Sequence, residues 1–527
     1  MNRKTLVLPA VVGLLAPVLV ACGGSEGGSG GGGTIVVGTT DQIITDGESP
    51  APLDPAYAYD TGSWNVLRQT VQTLLYAPRG GKPVPEAAQS CEFTDRASQS
   101  YRCALRGGLT FSDGSPVTAE DVKFSIERLL AINDDNGAAA LLSNVDAIDT
   151  KGSEIVFHLA TPDATFPYKL STPAAGIISK KKYDGQKLRP GFQVDGSGPY
   201  TMKAEAENGK ATRIVFSKNK AYRGDAELRN SKVELRIFKD SKAMTGALEK
   251  GEIDLATREL ATEQITGMLE KPKKGIELTE LPGLSIQYLA FNTNDPSVKD
   301  KAVRQAMASV IDRGEISSKA YGSTAEPLYS LIPANVLAHK NSFYNRYGEP
   351  NRDQAERILK KADITTPVKV TLHYAKDRYA ATEYEVIRDQ LNATGLFSAT
   401  IKGSGWSEFR AAAQRGDYPV YGLGWVPDFP DPDNFIAPFL EKDNFLGSPY
   451  KNDEALALIP QSRRQADRGA ATRAFGKIQD IVAEDVPVLP LWQSKQYVAA
   501  RTDLTGVERL LNASMDLQLW ELGTGVK

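Results

Sequence analysis

Histidine and cysteine are the scarce residues of this chain, three of each in 527. His158, His339 and His373 stand far apart without ligand spacing, which argues against a histidine-built metal centre and leaves no plausible set for proteolysis. A basic excess is also missing. Against 62 Lys and Arg stand 65 Asp and Glu, a formal charge of −3, so the electrostatic footprint of a nucleic-acid binder is absent and no such partner is expected. There is no Gly-x-x-x-x-Gly-Lys-Ser/Thr run to cradle a nucleotide, no internal repeat, and no second membrane segment after the first residues. What is present is ordinary for a globular protein, with 41% hydrophobic and 24% charged residues. The length exceeds what one core fills, so at least two lobes are expected.

The N-terminus reads as an export signal. Asn2-Arg3-Lys4 supply positive charge, and Leu6 to Val20 form an apolar stretch too short and too broken by Pro9 and Pro17 to span a bilayer, which takes about 20 residues. Its end, Leu19-Val20-Ala21-Cys22, resembles the lipobox of bacterial lipoproteins. The resemblance implies a leader of residues 1–21, with Cys22 as the new, lipid-bearing N-terminus. The alternative is an ordinary signal cleaved nearby, which leaves Cys22 as a free thiol. Residues 22–33, almost wholly Gly and Ser after the cysteine, have no apolar side chain to bury and form a tether, so the folded part begins near Thr34. Matches to Gly-x-Ser-x-Gly around Ser25 and Ser29 lack the strand and helix that a nucleophile elbow requires. Loss of Arg3 and Lys4 leaves 60 basic against 65 acidic side chains, a charge of −5.

Cys91 and Cys103 flank a polar turn between two short strand-like ends. A disulfide across a hairpin is geometrically plausible there, and an exported location favours it.

The most informative stretch is Gly422 to Phe435, which holds three aspartates, three prolines, one tryptophan and two phenylalanines in fourteen residues. Residues 417–425 alternate like a strand, and Pro427 ends it by removing a ladder donor. Asp428 then lies just past the strand end, beside Trp425 and Phe429, in turns that Pro427, Pro430 and Pro432 hold in few conformations. A carboxylate fixed against a partly apolar wall suits a cation. The bland alternative, an N-cap or turn aspartate before a helix near Asp433, fits Asp431 and Asp433 better than Asp428.

This segment closely resembles the bacterial extracellular solute-binding proteins of dipeptide and oligopeptide ABC importers, in which Trp-x-x-Asp precedes Asp-Pro-Asp-Asn-Phe. In that family the first aspartate receives the α-amino group of the bound peptide, a role the match places on Asp428, with Trp425 as its wall. The resemblance begins at Leu53-Asp-Pro55 and runs through Gly108-Leu-Thr-Phe-Ser-Asp-Gly114 and Pro116 to Ser125. Thr118 and Asp121 independently make a capping box there, with Val122, Ile126, Leu129 and Leu130 on one helical face. Asp195-Gly-Ser-Gly-Pro-Tyr200, Ala247 to Asp254 and Tyr288 to Thr293 continue it, and residues 302–312 read as a core helix through Val303, Ala306, Met307 and Val310. In residues 350–401 the order is helix, strand, helix, strand. Arg378 follows a strand where the dipeptide binders place an arginine that meets the peptide carboxylate, although such loop arginines are often merely solvated. Trp406 corresponds to a pocket-side tryptophan, with core packing as the alternative. Residues 484–492 and 497–500 read as returning strands, ending with Leu517 to Trp520.

The resemblance implies a two-lobed α/β fold of the type II periplasmic-binding-protein class, with an extra subdomain at about 54–178 in the first lobe. Lobe 1 is expected over 34–284, lobe 2 over 285–490, and a return to lobe 1 over 491–527. Crossings near 282–291 and 487–498 form the hinge. It further implies a monomeric binding protein without cofactor or catalysis, exported and lipid-anchored to the outer face of the cell membrane, that hands a peptide to membrane permease subunits. Two other readings stay open: the same fold binding an oligosaccharide, a metal chelate or haem, and a surface hydrolase using Asp428, Asp431 and Asp433. The hydrolase needs carboxyls facing across a cleft roughly 5–9.5 Å apart, which one short turn does not provide. Anchoring has a direct test: Cys22→Ser releases the protein into the medium or leaves it unprocessed, and a processed, membrane-bound variant overturns the anchor.

Overall fold

Two long antiparallel strands organise the chain. In the computed structural model, which describes residues 33–525 apart from 259, 443, 445 and 446, they belong to an eleven-stranded sheet. Cys22, the expected leader and the tether as far as residue 32 lie outside the described residues. The strands of this sheet are β1 (Ile35–Thr39), β2 (Tyr200–Glu207), β3 (Lys210–Lys218), β4 (Lys232–Ile237), β5 (Leu255–Ala256), β6 (Ile276–Phe291), β7 (Ala325–Pro327), β8 (Val368–Ala375), β9 (Phe397–Ser404), β10 (Val420–Trp425) and β11 (Val488–Arg501). Their spatial order is β9-β8-β10-β6-β11-β5-β1-β4-β3-β2, with β7 pairing β11 off that path.

At one end β1 runs parallel to β4 and β5, and at the other β8 runs parallel to β9 and β10. Between these two α/β halves, β6 and β11 pair with each other along most of their length. The sequence of β11 explains how it serves both lobes. Val488-Leu-Pro-Leu and Tyr497-Val-Ala-Ala are buried, whereas the polar middle, Ser494-Lys-Gln, is half-buried where the strand passes from one lobe to the other. Each apolar end lies in a different core. Lobe 2 packs a large cluster from Leu284 to Leu491, and lobe 1 packs Ile35, Phe216, Leu255, Val498 and Trp520. A smaller cluster around Met244 and Leu248 covers the lobe 1 sheet.

The extra subdomain has its own core, from Ala56 to Ile177. Its sheet is antiparallel, in the order Ala88–Phe93, Ser100–Leu105, Glu154–Leu159, Val145–Lys151. Cys91 and Cys103 face each other in the first pair, with their sulfurs bonded at 2.02 Å. The helix Ala119–Ile132 carries the expected capping box between Thr118 and Asp121, and buries Val122, Ile126 and Leu129. Asp54 is fully buried in a two-pronged pair with Arg128 of that helix, at 2.7 Å on each prong, which ties the early chain to the subdomain.

Two expectations change. Residues 488–501 form one continuous strand rather than two, even though Pro490 has no amide hydrogen to donate. The ladder allows this because its register shifts between Gln287 and Tyr288, opposite Pro490. Leu517–Trp520 is not a strand, and residues 519–521 form a 3-10 turn. Side chains of the helix Thr61–Thr70 take its peptide groups: the Leu517 amide donates to Asn65 Oδ1 (2.8 Å), and Gln69 Nε2 donates to the Leu517 carbonyl (2.7 Å). No helix among the described residues is long and apolar enough to cross a membrane.

A second register shift lies between Pro282 and Ile286, where β6 leaves one lobe for the other. A Cβ on Gly283 would lie 2.0 Å from the Ser494 carbonyl oxygen, so glycine is required for the two crossing strands to approach. Gly283→Ala must push them apart. It lowers stability by about 1–3 kcal/mol, read as a lower urea midpoint at unchanged slope, whereas an unaltered midpoint would mean that the crossing yields freely.

Candidate functional site

The parallel strands β8, β9 and β10 end side by side, at Ala375, Ser404 and Trp425. In open α/β sheets ligands bind outside such carboxyl ends. The loops leaving these ends carry Arg378, Trp406 and Asp428, so one edge of lobe 2 gathers the residues singled out in the sequence. They fall into two groups. In the first, the Arg378 guanidinium lies 4.8 Å over the Trp406 ring, with Arg410 on the same indole at 5.6 Å. Trp406 is half-buried, stacks on Phe409, and donates its backbone N–H to Asp377 of the Arg378 loop (3.1 Å). Arg378 itself is exposed.

The second group surrounds Asp428. Trp425 packs edge-on against Phe439 of the helix Asp433–Leu440. Asn434 on that helix donates Nδ2–H to Asp428 Oδ2 (3.1 Å) and accepts the Asp428 amide on Oδ1 (2.9 Å), a reciprocal pair that fixes the carboxylate. From the other lobe the Tyr59 hydroxyl donates to Oδ1 at 2.8 Å. Tyr59 is itself held in place: Asp60 caps the helix Thr61–Thr70, and Trp64, whose indole N–H donates to the Ala58 carbonyl, lies 5.7 Å from the Tyr59 ring. Tyr59 joined this group without any sequence signal. Asn434 did have one, since it stands inside the segment already singled out.

Electrostatically the three aspartates of the segment differ. Asp431 is fully buried and meets Arg468 through two bonds of 2.7 and 2.8 Å. Asp433 is buried against Arg463, which also reaches Glu441. The turn reading holds for Asp431, just before a helix that begins at Asp433, and ion pairing is added to it at both residues. Asp431 does accept the Asp433 amide (2.9 Å), but the helix has no side-chain cap, and both acids chiefly anchor arginines of the segment 463–468. They are thereby unavailable as a hydrolytic pair. Asp428 has only neutral donors. Among the described residues no Lys or Arg nitrogen comes within 4 Å of it, and the nearby Lys169 is paired with Asp163 at 2.6 Å. Burial pushes its carboxyl above the ordinary 3.8, with the Asn434 and Tyr59 bonds opposing the shift. Surrounding protein excludes most water, yet the site is not sealed, since Tyr59 remains 43% exposed and Val426 60%.

The subdomain abuts the same segment. Tyr168 stacks on Phe429, and the Ala164 amide donates to the Arg463 carbonyl (2.7 Å). Here lies a cavity of about 900 Å³, between Tyr101 and Tyr168 of the subdomain, Leu281 and Leu284 of β6, and Leu337 and Pro430 of lobe 2. Trp425, Asp428, Trp406 and Arg378 do not line it. It adjoins the Asp428 turn through Pro430 only, and we place the candidate site at Asp428, whose carboxyl has only neutral hydrogen-bond partners among the described residues.

Two α/β lobes joined by crossing strands define the fold of a type II periplasmic binding protein. Solved structures agree: that of the MppA periplasmic murein tripeptide binding protein in its unliganded open form superposes with a TM-score of 0.78 at 20% identity, covering 94% of this chain and 98% of that one. The chain belongs to the bacterial extracellular solute-binding proteins, family 5, whose middle-region profile matches residues 82–447. Relatives include the probable D,D-dipeptide-binding periplasmic protein DdpA of Escherichia coli, 26% identical over 485 residues (88% of this chain, 90% of the relative). Another is the oligopeptide-binding protein OppA of Bacillus subtilis, 25% identical over 520 residues (93% and 94%).

A carboxyl whose folded-state pKa is raised favours folding while protonated, and that contribution is lost as pH rises through the raised value. Asp428→Asn removes the penalty. Without ligand, the variant melts at or above the wild-type temperature at pH 7, and its advantage fades as pH falls toward 3.8. A variant clearly less stable at pH 7 would mean that Asp428 is a structural turn residue.

Proposed function

We propose that this protein is the substrate-binding lipoprotein of an ABC import system, and that it captures di- or oligopeptides between its lobes and delivers them to a membrane permease. The observation that carries this reading is the unpaired Asp428. Its two neighbouring aspartates have arginines, whereas it is held by neutral donors at a strand end facing the cleft. An ammonium group satisfies that carboxylate better than water can in a half-dry site. The relatives' names, D,D-dipeptide-binding and oligopeptide-binding, favour a peptide as the molecule that brings the ammonium.

In this reading an extended peptide lies along exposed strand edges, so that main-chain hydrogen bonds give affinity regardless of sequence. Trp425 walls the amino end. Arg378, over Trp406 on the same edge of lobe 2, is the candidate for the peptide carboxylate. Closure takes place about the crossing of β6 and β11, a hinge motion. Lobe 1 then comprises about 34–284 with the return 491–527, and lobe 2 about 285–490. Export, the Cys22 lipid anchor and a monomeric state complete the assignment, and the protein's work is binding, not conversion.

The test rests on charge. Asp428→Asn keeps the shape but leaves a desolvated ammonium against a neutral acceptor, a loss of about 2–5 kcal/mol, or roughly 30-fold to several-thousand-fold in affinity. Acetylating the peptide's amino terminus does comparable damage, and the two changes are not additive because they remove one interaction. Calorimetry on both proteins with free and acetylated peptides reads this out. Equal affinities throughout would reject an amine held by Asp428 and point to a non-peptide solute.

A further inference from the structure

A second, smaller cavity of about 350 Å³ lies in lobe 1, walled by Tyr76, Tyr222 and Trp520 and floored by Gln72 and Glu86. None of its lining residues belongs to the Asp428 segment. The β-bridge hairpin of Leu75–Tyr76 with Val84–Pro85, the loop 222–227 and the C-terminal turn at Trp520 bring these side chains together.

The polar atoms at its floor are unequal. Gln72 is only 2% exposed. Its Nε2 donates to Glu86 Oε1 (2.8 Å) and to the Arg223 carbonyl (3.3 Å), and because both partners are acceptors the orientation of the amide is fixed. Its Oε1 is buried without a hydrogen-bond donor. Glu86 Oε1 also accepts the Tyr222 hydroxyl (3.1 Å), while Glu86 Oε2 is buried and likewise has no donor. Two acceptor oxygens on adjoining side chains thus have nothing to accept from, in a cavity with three aromatic walls.

The surrounding charges do not answer them. Arg68 is committed to Asp516 (2.7 Å) and to the Ser171 carbonyl, Arg106 to Asp225, and Glu521 to Arg509 (3.0 Å). Burial pushes the Glu86 carboxyl up to about 7, with Gln72, Tyr222, Arg68 and Arg106 opposing the shift. Near neutral pH the group therefore stands between its neutral and its charged form.

We propose that this cavity is an accessory site for a small primary ammonium ion, whose N–H groups donate to Glu86 Oε2 and Gln72 Oε1 while Tyr76, Tyr222 and Trp520 enclose its alkyl part. The chemistry follows from the floor and walls. Two orphan acceptors call for a donor with several N–H groups, a carboxylate calls for a positive one, and aromatic faces attract cations and bury methylenes. The volume is ample for a small alkylammonium. The proton that Glu86 carries in the free protein leaves to solvent when the ammonium binds.

Titration calorimetry with n-butylammonium chloride, and with 1-butanol as its neutral analogue, tests the site on the purified protein. Butylammonium binds wild type and Asp428→Asn with the same affinity, which separates this site from the peptide cleft. Glu86→Gln, which keeps the bond from Gln72 but presents an N–H₂ where Oε2 was, weakens it at least about tenfold, as does replacing the ammonium by the alcohol. Titrations at pH 6.5 in buffers of different ionisation enthalpy show a proton released on binding. No binding by wild type, loss in Asp428→Asn, or undiminished binding in Glu86→Gln would overturn the site. Should Glu86→Gln fail to fold, the absence of proton release by wild type would do so.

Discussion

Everything in this molecule hangs on the antiparallel pairing of β6 with β11. In the proposed closure one ladder has to hold two lobes together and still let the angle between them change, demands that conflict in a regular sheet, where bending breaks hydrogen bonds in series. The conflict is resolved locally. Apolar ends of β11 are locked into separate cores, while its polar middle and the Pro282-Gly283 step of β6 form an irregular crossing with a shifted register. Any change in lobe angle is concentrated in those few residues. The carboxyl ends of β8, β9 and β10 lie on the lobe 2 side of this crossing, so a small rotation there moves Asp428 relative to Tyr59.

The segment 428–433 shows how neighbouring residues of one type acquire different tasks. Asp431 and Asp433 are neutralised by arginines from a single stretch, and these buried pairs hold the turn rigid. Removing one member of such a pair is costly because the other remains charged and dry. That rigidity is what allows Asp428 to stay unneutralised without swinging away to water. Burial leaves the Asp428 carboxylate unfavourable, which fits the ligand role proposed for it.

Much of this was legible in the chain because it is written in local patterns. The capping box at Thr118 and Asp121, the apolar face of residues 303–310, the alternation of helix and strand over 350–401, and the proline-framed aspartates are each set by residues a few positions apart. Misreadings came where distant groups decide. Leu517–Trp520 alternates like a strand, but its peptide groups are claimed by Asn65 and Gln69, about 450 positions earlier in the chain. The polar residues between 492 and 497 look like a gap between two strands, and instead Lys495 and Gln496 pair with Pro282 and Leu281 of β6. Asp431 and Asp433 have the spacing of turn aspartates, and nothing near them announces Arg463 and Arg468. Tyr59 reaches Asp428 across 369 positions, and no local pattern could have joined them.

The late position of β11 has a consequence for how the chain is made. It supplies the ladder to β5 and part of the core of lobe 1, and the central neighbour of β6 in the sheet that lobe 2 shares. Neither half can complete its sheet until residues 488–501 have emerged, about 200 residues after β6. Over the whole stretch between β6 and β11 a growing chain therefore holds β5 and β6 without their shared neighbour. Such delay makes the emergence of β11 the step on which the pairing of both halves waits.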